Sequence, residues 1–124
     1  MANTFIDIPN LSETARTYYL KGCWNSPGNG SEPIDDYAGF KYTLLMGHFR
    51  TESGTCNVTM EINNGSGWVA VTGLTNVPVT SSGVNSNATA DRSVNLHGRL
   101  RMTVSSNVDA VKLAFSIEVQ EYVA

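Results

Sequence analysis

The chain has 124 residues, of which 41% are hydrophobic and only 15% are charged, and its formal net charge is −3. This length fits one domain with a core of its own, and no segment approaches the roughly 18 apolar residues that cross a bilayer, so no membrane partner is expected. The eight basic residues are scattered rather than gathered into a stripe, which argues against nucleic acid as a partner.

The chain opens with Met1–Phe5, which lacks the basic start and long apolar run of a secretory signal, so we expect synthesis in a cytoplasm. Thr4–Ile8 predicts a short edge strand that ends at Pro9, because proline cannot donate to a ladder. Residues 1–10 are therefore expected to form an edge strand or arm. Thr14–Leu20 predicts a further strand, and Lys21–Asp36, with its glycines and prolines, predicts a loop.

The middle of the chain predicts three strands. Phe40–Phe49 is a dense apolar run and predicts a central strand. In Cys56–Ile62 every second residue is apolar, and Asn63–Gly67 supplies residues that tolerate a positive φ. Trp68–Val71 is then the return strand of a β-hairpin.

The last third predicts a loop and a second hairpin. Thr75–Asn95 is polar and predicts a loop with short β-prone pieces. Leu100–Val104 and Val111–Gln120 both alternate apolar and polar residues, and Ser105–Asp109 between them has turn chemistry. The two segments therefore predict an antiparallel hairpin.

Seven or eight short strands with one apolar face each predict an all-β fold. Such strands bury their apolar faces when two sheets pack face to face. We therefore expect a two-sheet antiparallel β-sandwich, jelly-roll-like, with residues 1–124 forming a single domain. A closed barrel is the alternative.

The two cysteines, Cys23 and Cys56, lie too far apart in sequence for a zinc motif. Cys56 falls on an apolar strand face, which is typical of a small buried hydrophobe. We expect two buried free thiols, with a disulfide between them as the alternative.

Catalytic motifs are missing from the sequence, so we expect no enzyme, no cofactor and no catalytic residue. His48 and His97 are the only histidines and fit no catalytic pattern. A small hydrolase remains the least favoured alternative; it would require a carboxylate pair or a Ser-His-acid set across a cleft, with His97 and Asp91 or Asp109 as candidate contributors.

An acidic cluster in the first loop is the one candidate for a metal site. Glu32, Asp35 and Asp36 offer the oxygen ligands that Ca²⁺ prefers. Pro33 and Ile34 interrupt the spacing of a calcium loop, so we expect no metal there.

Aromatic and apolar residues near the N-terminus are the candidate contacts for a partner. Aromatic rings bury a large rigid area, whether they close one end of the domain, form a subunit interface or stack on sugar rings. The apolar N-terminal strand suits addition to the edge of a neighbour's sheet. The candidate partner-binding residues are Phe5, Ile6, Ile8, Tyr18, Tyr19, Trp24 and Tyr37.

The second half of the chain resembles a known family. Gly65–Ser82 reads GSGWVAVTGLTNVPVTSS, and after Ala88-Thr89-Ala90 the segment Leu100–Ile117 reads LRMTVSSNVDAVKLAFSI. This pattern, over roughly residues 54–119, is similar to the β-domain of structural proteins of tailed bacteriophages, where a V-T-G-L…V-S-S strand pair precedes R-L-T-L-T-V-S-S-N. Asn95–Gly98 departs from the tight acidic turn that is usual at that point.

The resemblance implies a structural role in the virion. The expectation is a capsid decoration protein that stabilises the head by protein–protein binding, with the major capsid protein or other virion proteins as partners and a homotrimer as its form. The alternative is a receptor- or carbohydrate-binding module of a tail or head fibre. That module would expose Tyr18, Trp24 and Tyr37 in a groove, whereas decoration would bury them.

Overall fold

The computed structural model of the protein describes residues 16–25, 28–34 and 40–121. Within these ranges the chain forms β-strands and no helix, which confirms the predicted all-β class. In chain order the strands are β1 (Thr17–Trp24), β2 (Gly30–Pro33), β3 (Tyr42–Asn63), β4 (Trp68–Ala70), β5 (Val77–Val79), β6 (Val84–Asn87), β7 (Ser93–Val94) and β8 (Arg99–Glu121).

The strands form one antiparallel sheet built on two long members. β3 has 22 residues and β8 has 23, and they pair from Tyr42 opposite Glu121 to Asn63 opposite Arg99. β1 and β2 pair with the other side of β8. β4, β5, β6 and β7 pair in turn along the other side of β3. Every other described strand thus borders the β3–β8 ladder.

The β3–β8 ladder is irregular near its middle. Two shifts of register fall within residues 53–57, where Gly54 has φ of +73°. On β8, the residues Ser106, Asp109 and Lys112 have φ of 50°, 54° and 49°. Extra residues of this kind bend a strand and increase its twist. We call this region the bend; it divides each long strand into two halves.

The predicted hairpin between Leu100–Val104 and Val111–Gln120 is wrong, because Ser105–Asp109 continues β8 instead of reversing the chain. Ser105 pairs with Asn57 and Val108 with Thr55 across the bend. A bulge needs the same small polar residues with positive φ as a reverse turn, so the sequence pattern did not separate the two. The predicted strands Phe40–Phe49, from Tyr42 onwards, and Cys56–Ile62 likewise belong to one strand, β3, which continues through the bend.

The two predicted loops contain strands. The described part of Lys21–Asp36 includes the end of β1 and all of β2, and Thr75–Asn95 contains β5, β6 and β7. These strands are only two to four residues long, apart from β1, and they have little periodicity to detect. Pro33 and Pro78 lie in β2 and β5, which each pair with one neighbour only, so the missing N–H is tolerated.

The predicted strand Thr14–Leu20 is confirmed from Thr17 onwards as part of β1, which extends to Trp24. The predicted strand Thr4–Ile8 lies outside the described residues. The hairpin of β3 and β4 is confirmed, and Asn63 Oδ1 accepts hydrogen bonds from the N–H groups of Gly65 (2.8 Å) and Gly67 (3.3 Å).

The core consists mainly of alternate residues of β3 and β8. The predicted apolar faces of Cys56–Ile62 and Leu100–Val104 are confirmed as buried. On the final strand Leu113, Ile117 and Val119 are also buried, but Val111, beside the bend, is 38% exposed. Buried residues from both halves of the long strands belong to one hydrophobic cluster.

Leu74, between β4 and β5, contacts both halves of β3. Its carbonyl oxygen accepts a hydrogen bond from the N–H of Met60 at 2.9 Å. Its Cδ2 atom lies 3.1 Å from the place that a Cβ on Gly47 would take, and its side chain is fully buried. Leu74 therefore contacts one half of β3 through its backbone and the other half through its side chain.

The cysteines are both free. Cys56 is buried as predicted, and burial raises the pKa of its thiol. Cys23 is exposed, so the prediction that both thiols are buried is wrong for Cys23. Cys23 lies on the outward face of β1, whereas the sequence predicted a loop at this position.

Candidate functional site

Three of the candidate partner-binding residues, Tyr18, Tyr19 and Trp24, lie on β1. The other four, Phe5, Ile6, Ile8 and Tyr37, lie outside the described residues. Because side chains alternate along a strand, Tyr18 and Trp24 point to the face opposite to that of Tyr19.

Tyr18 belongs to a row of aromatic rings on the core side. Its ring centroid lies 5.4 Å from that of Phe40, which in turn lies 5.5 Å from that of Tyr42. Tyr42 is buried, and Tyr18 and Phe40 pack half-buried against the core. Arg16 covers the outer side, with its Cζ 5.8 Å from the Tyr18 ring centre. Tyr18 thus contributes to packing at this end of the sheet.

Trp24 is likewise half-buried against the core. It lines a cavity of about 210 Å³ together with Ile34 beyond β2, Met102 in the first half of β8 and Phe115 in its second half. This cavity lies between β1 and β2, and both halves of β8 contribute to its wall. The Trp24 indole therefore packs where the two halves meet.

Tyr19 is the exposed aromatic residue of β1, with 53% of its surface accessible. It lies on the outward face of a strand whose second edge pairs with none of the described residues. The N–H of Glu121 donates to the carbonyl of Arg16 at 2.8 Å, so these two opposite residues form a hydrogen-bonded pair. Along an antiparallel ladder every second residue has its backbone groups directed towards the partner strand, which here is β8. The backbone N–H and C=O groups that point away from β8 are consequently those of Thr17, Tyr19, Lys21 and Cys23.

A shallow hollow of about 510 Å³ lies on the outward face of the same half of the sheet. His48 forms one wall, and its Nδ1 lies 2.7 Å from the Oδ1 of Asn85 on β6. Its Nε2 lies 3.8 Å from a carboxylate oxygen of Glu118. The floor includes the small residues Ala114 and Ser116. Both nitrogens of the imidazole thus face oxygen atoms.

Arg50 is the cation of this hollow. Its side chain lies 3.7 Å from the Cβ position of Gly83, on the opposite wall. It forms no ion pair or hydrogen bond with the described residues, and it also borders a second hollow of about 410 Å³ towards Cys23. A guanidinium in such a position can bind a carboxylate or a sugar hydroxyl.

A polar network covers the outward face of the other half of the sheet. Arg101 Nε donates to Glu61 Oε1 at 2.8 Å, and the Thr103 hydroxyl donates to the same oxygen at 2.5 Å. The Arg101 guanidinium also lies over the ring of Trp68, 4.3 Å from its centre. Ser31 on β2 extends the network through a 2.8 Å contact with the Thr103 hydroxyl.

The network sets the protonation of Glu61. Burial by itself raises the pKa of this carboxyl group. The hydrogen bonds from Arg101 and Thr103, together with the Arg101 charge, outweigh burial, so the pKa lies below its ordinary value. Glu61 is therefore held as a carboxylate, and the network spans β2, β8, β3 and β4.

Metal-binding and membrane-spanning features are absent from the described ranges. These ranges contain no cluster of three or more His, Cys, Asp or Glu side chains that would hold a metal ion. Glu32 is exposed on β2, while Asp35 and Asp36 lie outside those ranges. Nor do the same ranges include a helix long and apolar enough to span a bilayer.

Sequence reasoning missed both the hollow beside His48 and the Glu61 network. The strand alternation already placed Glu61 opposite the apolar face of β3, and Arg101 opposite that of β8. The alternation does not predict the register of β3 against β8. This register places Glu61 directly opposite Arg101, forty residues away in sequence.

Comparison with known proteins gives no relative: no family model, no curated protein and no solved structure matches this chain significantly. These comparisons do not test the expected relation to phage structural proteins, which stays a prediction from the sequence pattern of residues 54–119.

Proposed function

We propose that this chain is a structural protein of a tailed-phage particle, most simply a capsid decoration protein that stabilises the head by binding virion proteins. The observation that carries the proposal is the packing of Tyr18 and Trp24 against the core. Decoration predicts these aromatics in packing, whereas a sugar-binding groove built on them would need exposed ring faces. The strand-and-turn pattern of residues 54–119 supplies the phage context.

The proposal includes a two-layer arrangement of the fold. The bend would fold the two halves of the sheet onto each other as a β-sandwich, jelly-roll-like, with the hydrophobic cluster between the layers. Leu74, with contacts on both sides of the bend, supports this interpretation. So does the cavity that both halves of β8 line beside Trp24.

Attachment to the particle is assigned to the N-terminal segment, where Ile6 and Ile8 share one face of the predicted strand Thr4–Ile8. A short apolar strand can add to the edge of a neighbour's sheet and bind through main-chain hydrogen bonds. The expected form is a homotrimer at threefold positions of the shell, and the expected location is the virion.

The test is binding of the purified protein to capsids from which it has been stripped. Saturation at a fixed ratio to the major shell protein is the expected result. Changing Ile6→Ser and Ile8→Ser together should weaken this binding about tenfold or more, because the apolar face of the added strand is lost. Asp7→Ser, on the opposite face of that strand, is the matched control and should bind as the wild type does.

One observation favours the alternative of a receptor- or carbohydrate-binding module. The hollow beside His48 offers Arg50 and Asn85 for an acidic sugar, away from the aromatic residues that the sequence suggested. A protein that ignores capsids but binds host-cell surface glycans, and loses that binding on Arg50→Gln, would replace the decoration proposal with this one.

A further inference from the structure

The free edge of β1 is the surface from which a further contact can be inferred. β1 is eight residues long and pairs with β8 throughout, yet the described part of the chain places nothing on its second edge. An unpaired edge of this length is a template for another strand, and proteins usually protect one with charges, proline or a bulge. Here the protection is a single charge, that of Lys21.

We infer that β1 pairs antiparallel with β1 of a second copy of this chain, about a twofold axis at Leu20. The four residues whose backbone groups point outward are Thr17, Tyr19, Lys21 and Cys23, and they are placed symmetrically about Leu20. In this register Thr17 lies opposite Cys23 of the second copy, and Tyr19 lies opposite Lys21 of the second copy. All four of these residues pair with the second copy, which gives roughly eight main-chain hydrogen bonds between the two chains.

The side chains favour this register over its neighbours. An axis at Lys21 would place the two Lys21 ammonium groups directly opposite each other, which is destabilising. An axis at Tyr19 would place Cys23 opposite residue 15, which lies before the start of β1 in the second copy. With the axis at Leu20, each Lys21 lies beside the exposed ring of Tyr19 in the second copy, where a cation–π contact is favourable.

On the inner face of the pair, apolar or small residues lie opposite each other. Leu20 meets Leu20 of the second copy, which extends the apolar face across the junction. Tyr18 lies opposite Gly22 of the second copy, and Gly22 carries no side chain; the Phe115 ring fills the space beside it, 3.1 Å from its Cβ position.

The contact is independent of the proposed virion role. It is twofold, so it links chains in even numbers, as dimers alone or as hexamers if the copies also form trimers. Its area is small for a stable dimer in dilute solution, so a covalent trap is the suitable test.

The trap is Thr17→Cys, treated with oxidised glutathione in solution without capsids. The new thiol lies opposite native Cys23 of the second copy, at a Cα separation of about 5.5 Å, within the range of about 4.4–6.8 Å that a disulfide spans. Two thiols give up two electrons and two protons, and oxidised glutathione is reduced to two thiols. Within one chain the introduced thiol and Cys23 are about 20 Å apart along β1 and cannot bond.

The matched control is Thr17→Cys combined with Cys23→Ser, in which the two introduced thiols lie about 20 Å apart across the pair and cannot bond, while Tyr19 and Lys21 are unchanged. We expect covalent dimer on a non-reducing gel for Thr17→Cys, at least about tenfold more than for this double variant. A Thr17→Cys protein that stays monomeric, or equal crosslinking of the two variants, would overturn the inference. If the Thr17→Cys protein stays monomeric, the second edge of β1 would be available to another segment, such as residues 1–15 of the same chain.

A second pair of variants tests the strand pairing itself. The N–H of Lys21 points away from β8, so Lys21→Pro leaves the β1–β8 ladder intact while blocking the second edge. In the Thr17→Cys background Lys21→Pro should abolish the crosslink, and Lys21→Arg, which keeps the cation and the backbone N–H, should retain it, with unchanged circular dichroism for both. Undiminished crosslinking of the proline variant would contradict pairing through this edge.

Discussion

Glu61 illustrates how a partly buried charge is retained on a sheet face. Its carboxylate receives two hydrogen bonds, from Arg101 and Thr103, and the guanidinium that donates one of them is itself stacked on Trp68. With side-chain exposures of 27% for Arg101 and 19% for Glu61, the pair is shielded enough to contribute more than an ordinary surface ion pair.

Glu61→Gln should therefore reduce the free energy of unfolding by about 1–2 kcal/mol at pH 7. The pKa of Glu61 is lowered in the folded state, so its stabilisation is present above the unfolded-state pKa of about 4.3 and is lost as the pH falls through the folded-state pKa. In urea unfolding, the gap between wild type and variant should shrink below about pH 4.

Glu32→Gln provides the control for this pH effect, because Glu32 is an exposed carboxylate of the same charge on β2. It should change stability little at either pH. A gap for Glu61→Gln that persists undiminished at about pH 3 would contradict the assigned network.

Among the elements, the paired strands β3 and β8 depend on the bend. Gly54 lies at the centre of the bend with a positive φ, and a Cβ there would collide with the backbone of Asp109 and Ala110 on β8. Main-chain atoms cannot rotate away as a flexible side chain would, so the close approach of the two strands requires glycine at this position.

Gly54→Ala should accordingly destabilise the protein by about 3 kcal/mol or more, since it adds a backbone clash to the cost of a positive φ. Gly65→Ala is the matched control: Gly65 also has a positive φ, of 112°, but a Cβ there meets nothing within 4 Å. It should cost only about 1 kcal/mol, the φ contribution alone. Equal losses for the two variants in urea unfolding would show that the bend tolerates a side chain.

This bend also explains the main error of sequence-based prediction for this chain. The alternation of Cys56–Ile62 and of Leu100–Val104 located buried faces correctly, because a two-residue period is a local property. The turn predicted at Ser105–Asp109 was wrong because its composition suits a turn and a bulge equally. Which one forms depends on whether β3 continues opposite, and that pairing is not encoded locally.

The candidate site was predictable to a similar extent. Tyr18, Tyr19 and Trp24 could be selected as aromatic residues near a strand end, and the predicted strand already places Tyr18 and Tyr19 on opposite faces. The orientation of Trp24 follows only from the extension of β1 to that residue. The meeting of His48 with Asn85 and Glu118 needed the registers of both β6 and β8 against β3.

For the molecule as a whole, buried residues from both halves of the long strands belong to one hydrophobic cluster, and Leu74 is one of its fully buried members. It contacts Met60 through its backbone and the Gly47 region through its side chain. Because no solvent reaches the Leu74 side chain, its truncation leaves a cavity in the core.

Leu74→Ala is expected to lower the free energy of unfolding by about 3 kcal/mol, the usual cost of truncating a fully buried leucine. Leu96, which is 43% exposed, gives the matched control, and Leu96→Ala should cost less than about 0.5 kcal/mol. Thermal unfolding followed by circular dichroism measures both. Similar midpoints for the two variants would mean that the buried Leu74 side chain contributes no more to stability than an exposed leucine does.

The length of the β3–β8 ladder has a consequence for how the chain acquires its structure. Its nearest partners, Asn63 and Arg99, are thirty-six positions apart, and its farthest, Tyr42 and Glu121, are seventy-nine apart. Loop closure over such distances must precede most of the stabilising contacts, which places the chain among slowly folding β-proteins, on the scale of milliseconds to seconds. During synthesis β3 precedes β8, so the edge of β3 that pairs with β8 must remain without its partner until β8 has emerged, whereas β4, β5, β6 and β7 reach the other edge earlier.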